Sequence, residues 1–278
     1  MEFPELRVKL GGLEPVARRV YRRGGVVALD RQAHRWLPTL VAPLGIFAFV
    51  ALWAVAASAY PPFILPSPDE VARRFVAALA DGTLARHTAV TVTEALLGFT
   101  IGFLVAVPLG YIVARQPVVE RALTPYIVAS QSVPIIALAP LLILWFGHGL
   151  TAKVLVCSLV VFFPILVNTV VALRSVDAQS RDLMRSLNAT SWQVFRLLEV
   201  PASLPILLGG VRMGVTLCVI GAVVGEFVGA DTGLGALVNI ARGLYDTPLM
   251  FVAIIALMAL AMALYLAVSL LERLTTQR

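Results

Sequence analysis

The chain has 278 residues, of which 59% are hydrophobic and only 14% charged, and it carries a net charge of +6. A soluble domain carries about a quarter of its residues as charges. Here the apolar residues run in long blocks, so the bilayer and not a globular core sets the architecture. The basic excess is almost all Arg and lies at the ends of the apolar blocks, where it meets headgroups, which argues against nucleic acid as a partner.

Residues 1–35 form a basic, polar arm with no pattern of a cleavable signal peptide. A spanning helix needs about 20 apolar residues. Six blocks meet that length: 38–59, Ala95–Ala114 (starting near Thr88), 122–146, Val154–Leu173, 205–228 and Thr247–Leu271. The third ends at Gly147-His148-Gly149, and the fifth is weakened by Arg212 and Glu226. The expected class is therefore an all-α, polytopic membrane protein with six transmembrane helices, and residues 36–278 form its membrane domain. Six spans put both termini on one side. Lys and Arg are concentrated in the N-terminal arm, in the loops after spans two and four, and in the tail, so the positive-inside rule places both termini in the cytoplasm.

After span one, Pro61-Pro62-Phe63-Ile64-Leu65-Pro66-Ser67-Pro68 holds the chain extended. Ser67, Pro68 and Glu70 then make a helix start with a capping box, and Asp81-Gly82 makes a stop. An amphipathic helix over about 67–81 follows, with Val71, Phe75 and Leu79 on one face, lying along the outer surface as a strut.

The loop between spans four and five, about 176–203, carries two amphipathic pieces. The first places Leu183, Met184 and Leu187 among charges and breaks at Asn188, a residue suited to a left-handed helix end. Thr190 and Gln193 form a capping box for the second, which presents Trp192 and Phe195 and is expected to end at Pro201, with Pro205 opening span five. A helix–break–helix with exposed aromatics either folds back under the bundle or docks in a partner's groove.

This loop resembles the EAA loop of binding-protein-dependent ABC importer permeases of type I. The pattern is Glu-Ala-Ala, three residues, Gly, nine residues, Ile, one residue, Leu-Pro. It aligns with Asp182-Leu183-Met184, Asn188, Leu198 and Val200-Pro201. The spacing is kept, while the Ala pair and the Gly are replaced. Ile64-Leu65-Pro66-Ser67-Pro68, Ser132-Val133-Pro134, Phe163-Pro164-Ile165 and Gly229-Ala230-Asp231-Thr232-Gly233 are similar to the sulfonate/taurine/nitrate branch. The resemblance implies a permease of the bacterial inner membrane, not itself an enzyme. It would pair with a second permease copy, an ABC ATPase and an extracytoplasmic substrate-binding protein. It also implies ATPase coupling through Asp182, Leu183, Met184, Asn188, Ala189, Trp192, Phe195 and Pro201. The implied solute is sulfonate, taurine or nitrate-like, with a vitamin precursor of pyrimidine or flavin type as the alternative.

No P-loop is present, since Val8 precedes Lys9 and Ala152 precedes Lys153, the only two Lys; no cofactor is expected on this chain, and ATP belongs to the partner subunit. His34, His87 and His148 and the apolar-flanked Cys157 and Cys218 show no metal-ligand spacing. Candidate pathway residues are Gln131, Ser132, Pro134, Asn168 and Glu226, each with a packing role as the competing reading. Arg212 and Glu226 lie about 21 Å apart on an ideal helix and cannot pair. Gly98-xxx-Gly102 and Gly110 form a small-residue packing face. An ion-gradient transporter would need repeats and midplane charges, and a membrane enzyme would need clustered titratable groups; neither pattern is visible.

Overall fold

The computed structural model describes residues 33–131 and 133–276, with side chains given except at 33–42, 128, 131, 275 and 276. Residues 1–32 of the basic arm 1–35, Ser132 and the side chain of Gln131 therefore lie outside the described residues. The described residues divide into two units between Val55 and Ala56. The first holds most of helix α1 (Ala33–Ala57), an apolar helix. The second holds α2 (Pro68–Ala80), α3 (Thr83–Arg115), α4 (Pro117–Gln131), α5 (Ile135–Phe146), α6 (Leu150–Arg174), α7 (Ala178–Ser186), α8 (Ser191–Val194), a π-turn (Phe195–Glu199), α9 (Val200–Phe227), α10 (Leu234–Gly243) and α11 (Thr247–Thr276).

Among the described residues, four continuous helices are long and apolar enough to cross a membrane: Thr83–Arg115, Leu150–Arg174, Ser191–Phe227 and Thr247–Leu274. They correspond to expected spans two, four, five and six. The expected third span is not one helix, since α4 and α5 are separate. Pro134 is extended (φ −69°, ψ 109°) and caps α5. A proline has no N–H to continue the ladder and biases the residue before it away from helix.

Helix α6 is the centre of the bundle, with α3 along one side and α9 along another. Glycines make this close approach possible. A Cβ at Gly102 would sit 2.8 Å from the Ser158 carbonyl oxygen, and one at Gly110 would sit 2.8 Å from Thr169 Cβ. An adjoining face of α6 meets a matching set on α9: a Cβ at Gly221 would sit 2.8 Å from Cys157 Cα, and one at Gly210 would sit 2.7 Å from Asn168 Cβ. Between them lies the buried core of Ala95, Cys157, Val161, Ile165, Cys218 and Ala222.

Helix α2 starts as expected, with the Ser67 N–H donating to the Glu70 carboxylate at 2.9 Å. Its buried stripe differs from expectation. Val71 and Ala78 are buried, while Phe75 and Leu79 are exposed. The reason is tertiary: α2 lies against α11 and α3, and Arg74 donates to Asp246 at 2.8 Å, which turns the Val71–Ala78 stripe inward.

Candidate functional site

The loop after α6 folds from local signals. Asp177 caps α7 by accepting from the Ser180 N–H at 3.0 Å, and that donor holds its carboxyl below the ordinary carboxylate range. The helix ends in a left-handed turn. Asn188 has φ +55°, its N–H donates to the Arg185 carbonyl at 2.9 Å, and the Ala189 N–H donates to the Met184 carbonyl at 3.0 Å. These are the two bonds of a Schellman motif, with Asn where Gly usually stands. The Thr190–Gln193 capping box is formed on both sides and starts α8.

Pro201 does not end the second piece. The chain runs as continuous helix from Ser191 to Phe227. A π-turn over Phe195–Glu199, closed by the Val200 N–H donating to the Phe195 carbonyl, precedes Pro201, which sits in the first turn of α9. Within this continuous helix Pro201 has no N–H to give the preceding turn, and the widened turn just before it makes room for its ring without a break.

The apolar surface of the loop is open. Leu183 is 60% exposed, Trp192 65% and Leu197 66%. Asp182 and Asn188 are exposed as well, while Met184, Ala189 and Phe195 are half-buried. Phe195 turns inward, stacked on Trp192 at 5.4 Å between ring centroids and edge-on to Tyr111 of α3 at 5.3 Å. Under these rings is a cavity of about 600 Å³ lined by Pro108, Tyr111, Thr169, Trp192, Phe195 and Ser203.

Beside it, Glu199 is only 3% exposed. Its Oε2 accepts from Arg115 Nη2 at 2.7 Å and from the Tyr111 hydroxyl at 3.3 Å. Its Oε1 lies 3.9 Å from Arg181 Nη2, which itself donates to the Leu173 carbonyl at 2.6 Å. Sequence reasoning missed Glu199, because its α3 partners Tyr111 and Arg115 lie more than 80 positions away in the chain.

A second buried polar centre lies at the other end of α3 and α9. Glu226 is fully buried. Its Oε1 accepts from the Thr91 hydroxyl at 2.6 Å, and its Oε2 accepts from the Gly235 N–H at 2.5 Å. Thr91 Oγ accepts from the Leu234 N–H at 2.7 Å, and His87 Nδ1 lies 2.7 Å from the Gly233 carbonyl oxygen. Glu226 thus ties the 229–235 turn to α3. Close by in α3, Glu94 accepts from Lys153 at 2.6 Å, and both are buried. The charge-free stretch of the expected second span begins just after Glu94, at Ala95, with the span itself starting near Thr88. Pairing with Lys153, itself expected at the outer end of span four, is what lets α3 extend back to Thr83.

The remaining candidates are scattered. Asn168 bonds its own helix, donating from Nδ2 to the Pro164 carbonyl at 2.8 Å, on the side facing α9. Pro134 is exposed at the α4–α5 break, next to a cavity of about 260 Å³ lined by Ser130, Val133, Phe163, Pro164 and Leu217. Arg212 pairs with Glu272 of α11 at 3.2 Å.

Residues 106–277 match the family model described as the binding-protein-dependent transport system inner membrane component. The chain is 50% identical over 245 residues to the riboflavin transport system permease protein of Chloroflexus aurantiacus, covering 87% of this chain and 91% of that one. It is 37% identical over 224 residues to the formylaminopyrimidine transport permease protein of Halalkalibacterium halodurans, covering 80% and 89%. With the putative aliphatic sulfonates transport permease protein of Escherichia coli it shares 36% over 234 residues, covering 84% and 88%. The fold is that of an inward-facing methionine ABC transporter, at a TM-score of 0.62 and 20% identity over 68% of this chain and 94% of that one. The resemblance read from the loop therefore holds at the level of the family, and the chain belongs to the binding-protein-dependent inner membrane permeases, multi-pass components of the bacterial inner membrane.

Proposed function

We propose that this chain forms the translocation path of an ATP-driven importer for a flavin or pyrimidine-type vitamin precursor, and that its loop 176–203 is the surface on which a separate ABC ATPase acts. An extracytoplasmic binding protein delivers the solute, and a second copy of the chain completes the path. This chain contributes a pathway and a lever, with ATP hydrolysed on the partner.

The observation that carries the substrate class is the 50% identity to a riboflavin permease over 87% of the chain. Charge supports it against a sulfonate. Lys153 is buried near the start of α6 and Arg212 lies within α9, and each faces a carboxylate, Glu94 at 2.6 Å and Glu272 at 3.2 Å. A permanently anionic solute would meet no unpaired cation there, and an isolated charge in a low-dielectric path is costly. The small cavity at the α4–α5 break is mostly apolar and bordered by Phe163, which suits a flat, uncharged ring. Glu226 acts as an anchor for the 229–235 turn, not as a solute contact.

Two measurements test this reading. Leu183→Asp with Trp192→Asp, both at exposed positions, abolishes co-purification of the ATPase while leaving thermal unfolding of the solubilised chain unchanged. Proteoliposomes holding the full complex take up labelled riboflavin, and excess taurine does not compete. Uptake of taurine without riboflavin would return the assignment to the sulfonate branch.

A further inference from the structure

We propose that Glu199 is the positioning residue through which motion of the cytoplasmic loop reaches α3, so that α3 and α9 move as one body. The inference rests on the loop being the surface an ATPase pushes. Helix α9 needs no intermediary, because it is continuous with α8 through the π-turn. Helix α3 has no such covalent route: the chain passes through α4, α5 and α6 before reaching the loop.

A single carboxylate bridges that gap. Glu199 joins Arg115 and Tyr111 at the end of α3 to Arg181 on α7, and Arg181 also holds the Leu173 carbonyl at the end of α6. The π-turn, α3 and α7 therefore meet at one buried side chain, and the end of α6 is reached from it through Arg181. The Arg115 guanidinium also lies 5.1 Å from the Tyr111 ring centroid, and that ring meets Phe195. The contact is thus braced from both sides of the π-turn. Hydrogen bonds between ionised partners are shorter and stronger than neutral ones, and a buried carboxylate cannot let go without first finding another donor. Phe195 against Tyr111, a second contact of the loop with α3, is aromatic and permits sliding. Glu199 makes it a joint.

The test uses the chain in complex with its ATPase, with spin labels at Ile112→Cys in α3 and Met213→Cys in α9. Both positions are substantially exposed, and the native cysteines are buried. In the otherwise native complex, adding ATP leaves the 112–213 distance unchanged. In Glu199→Gln, ATP changes that distance, because α9 moves and α3 does not follow. Riboflavin moved per ATP falls about tenfold, the loss expected for one charge-assisted contact, while ATPase turnover and co-purification persist. Arg115→Gln reproduces this, and combining the two substitutions adds little. A constant 112–213 distance in Glu199→Gln, or equal loss of ATPase turnover and transport, overturns the inference. Failure of the native chain to bind any ATPase instead overturns the proposed function itself.

Discussion

The two ends of α9 each bury one glutamate, and each glutamate reaches α3, yet the two are held in different ways. Glu199 at the loop end meets guanidinium groups and a phenol. Glu226 at the other end meets a threonine hydroxyl and a backbone N–H. Arginine side chains are long and can follow a carboxylate as it moves, and the Arg115 side chain is 39% exposed, so water can stand in. A backbone N–H in a glycine turn cannot follow anything. The first arrangement suits a junction that carries load between segments. The second suits a turn that must keep one shape.

That contrast can be broken at the rigid end first. Gly233 has φ +121°, and a Cβ there would land on the Glu226 carboxylate. Gly233→Ala should cost about 3 kcal/mol or more, from the backbone penalty and the displaced carboxylate together, read as a large fall in the unfolding temperature of the solubilised protein. Next, the same chemical change at both ends should give unequal results. Glu226→Gln sets an NH₂ against one of two fixed donors and should cost about 2–3 kcal/mol. Glu199→Gln should cost about 1 kcal/mol, because solvent reaches Arg115. Equal losses in a thermal unfolding series would erase the distinction. The smallest effect is expected for Tyr111→Phe, which removes only the 3.3 Å hydroxyl bond and keeps the ring against Phe195. About 0.5 kcal/mol and unchanged transport per ATP are expected.

What could be read from the residues was local. The Ser67, Thr190 and Asn188 signals each concern a few neighbouring residues, and each appears where its chemistry places it. Long-range pairing was not readable. Thr91 and Glu226 are 135 positions apart, and Glu199 and Arg115 are 84 apart. No periodicity links such residues. Glu94 and Lys153 left a trace that could have been used, as opposite charges at the starts of two neighbouring apolar blocks. The glycines of α9 left another. Gly210-xxx-Gly214 and Gly221-xxx-Gly225 repeat the spacing seen at Gly98-xxx-Gly102, and reading them would have placed α6 between two small-residue faces. Pro201 misled because a proline in mid-sequence usually breaks a helix; a π-turn just before it relaxes that constraint.

The π-turn also bears on how this stretch tolerates changes in length. A turn closed from residue i to i+5 holds one residue more than the regular helix needs. Removing one residue between Phe195 and Glu199 would restore regular winding with little change in the azimuth of Trp192, because the wide turn carries its extra residue through about the same angle as one regular turn. The spare residue is thus absorbed where it stands. A single-codon deletion there would leave the spans folded and the docking face aimed as before, whereas the same deletion in the regular winding of α9 would swing that face by about 100°.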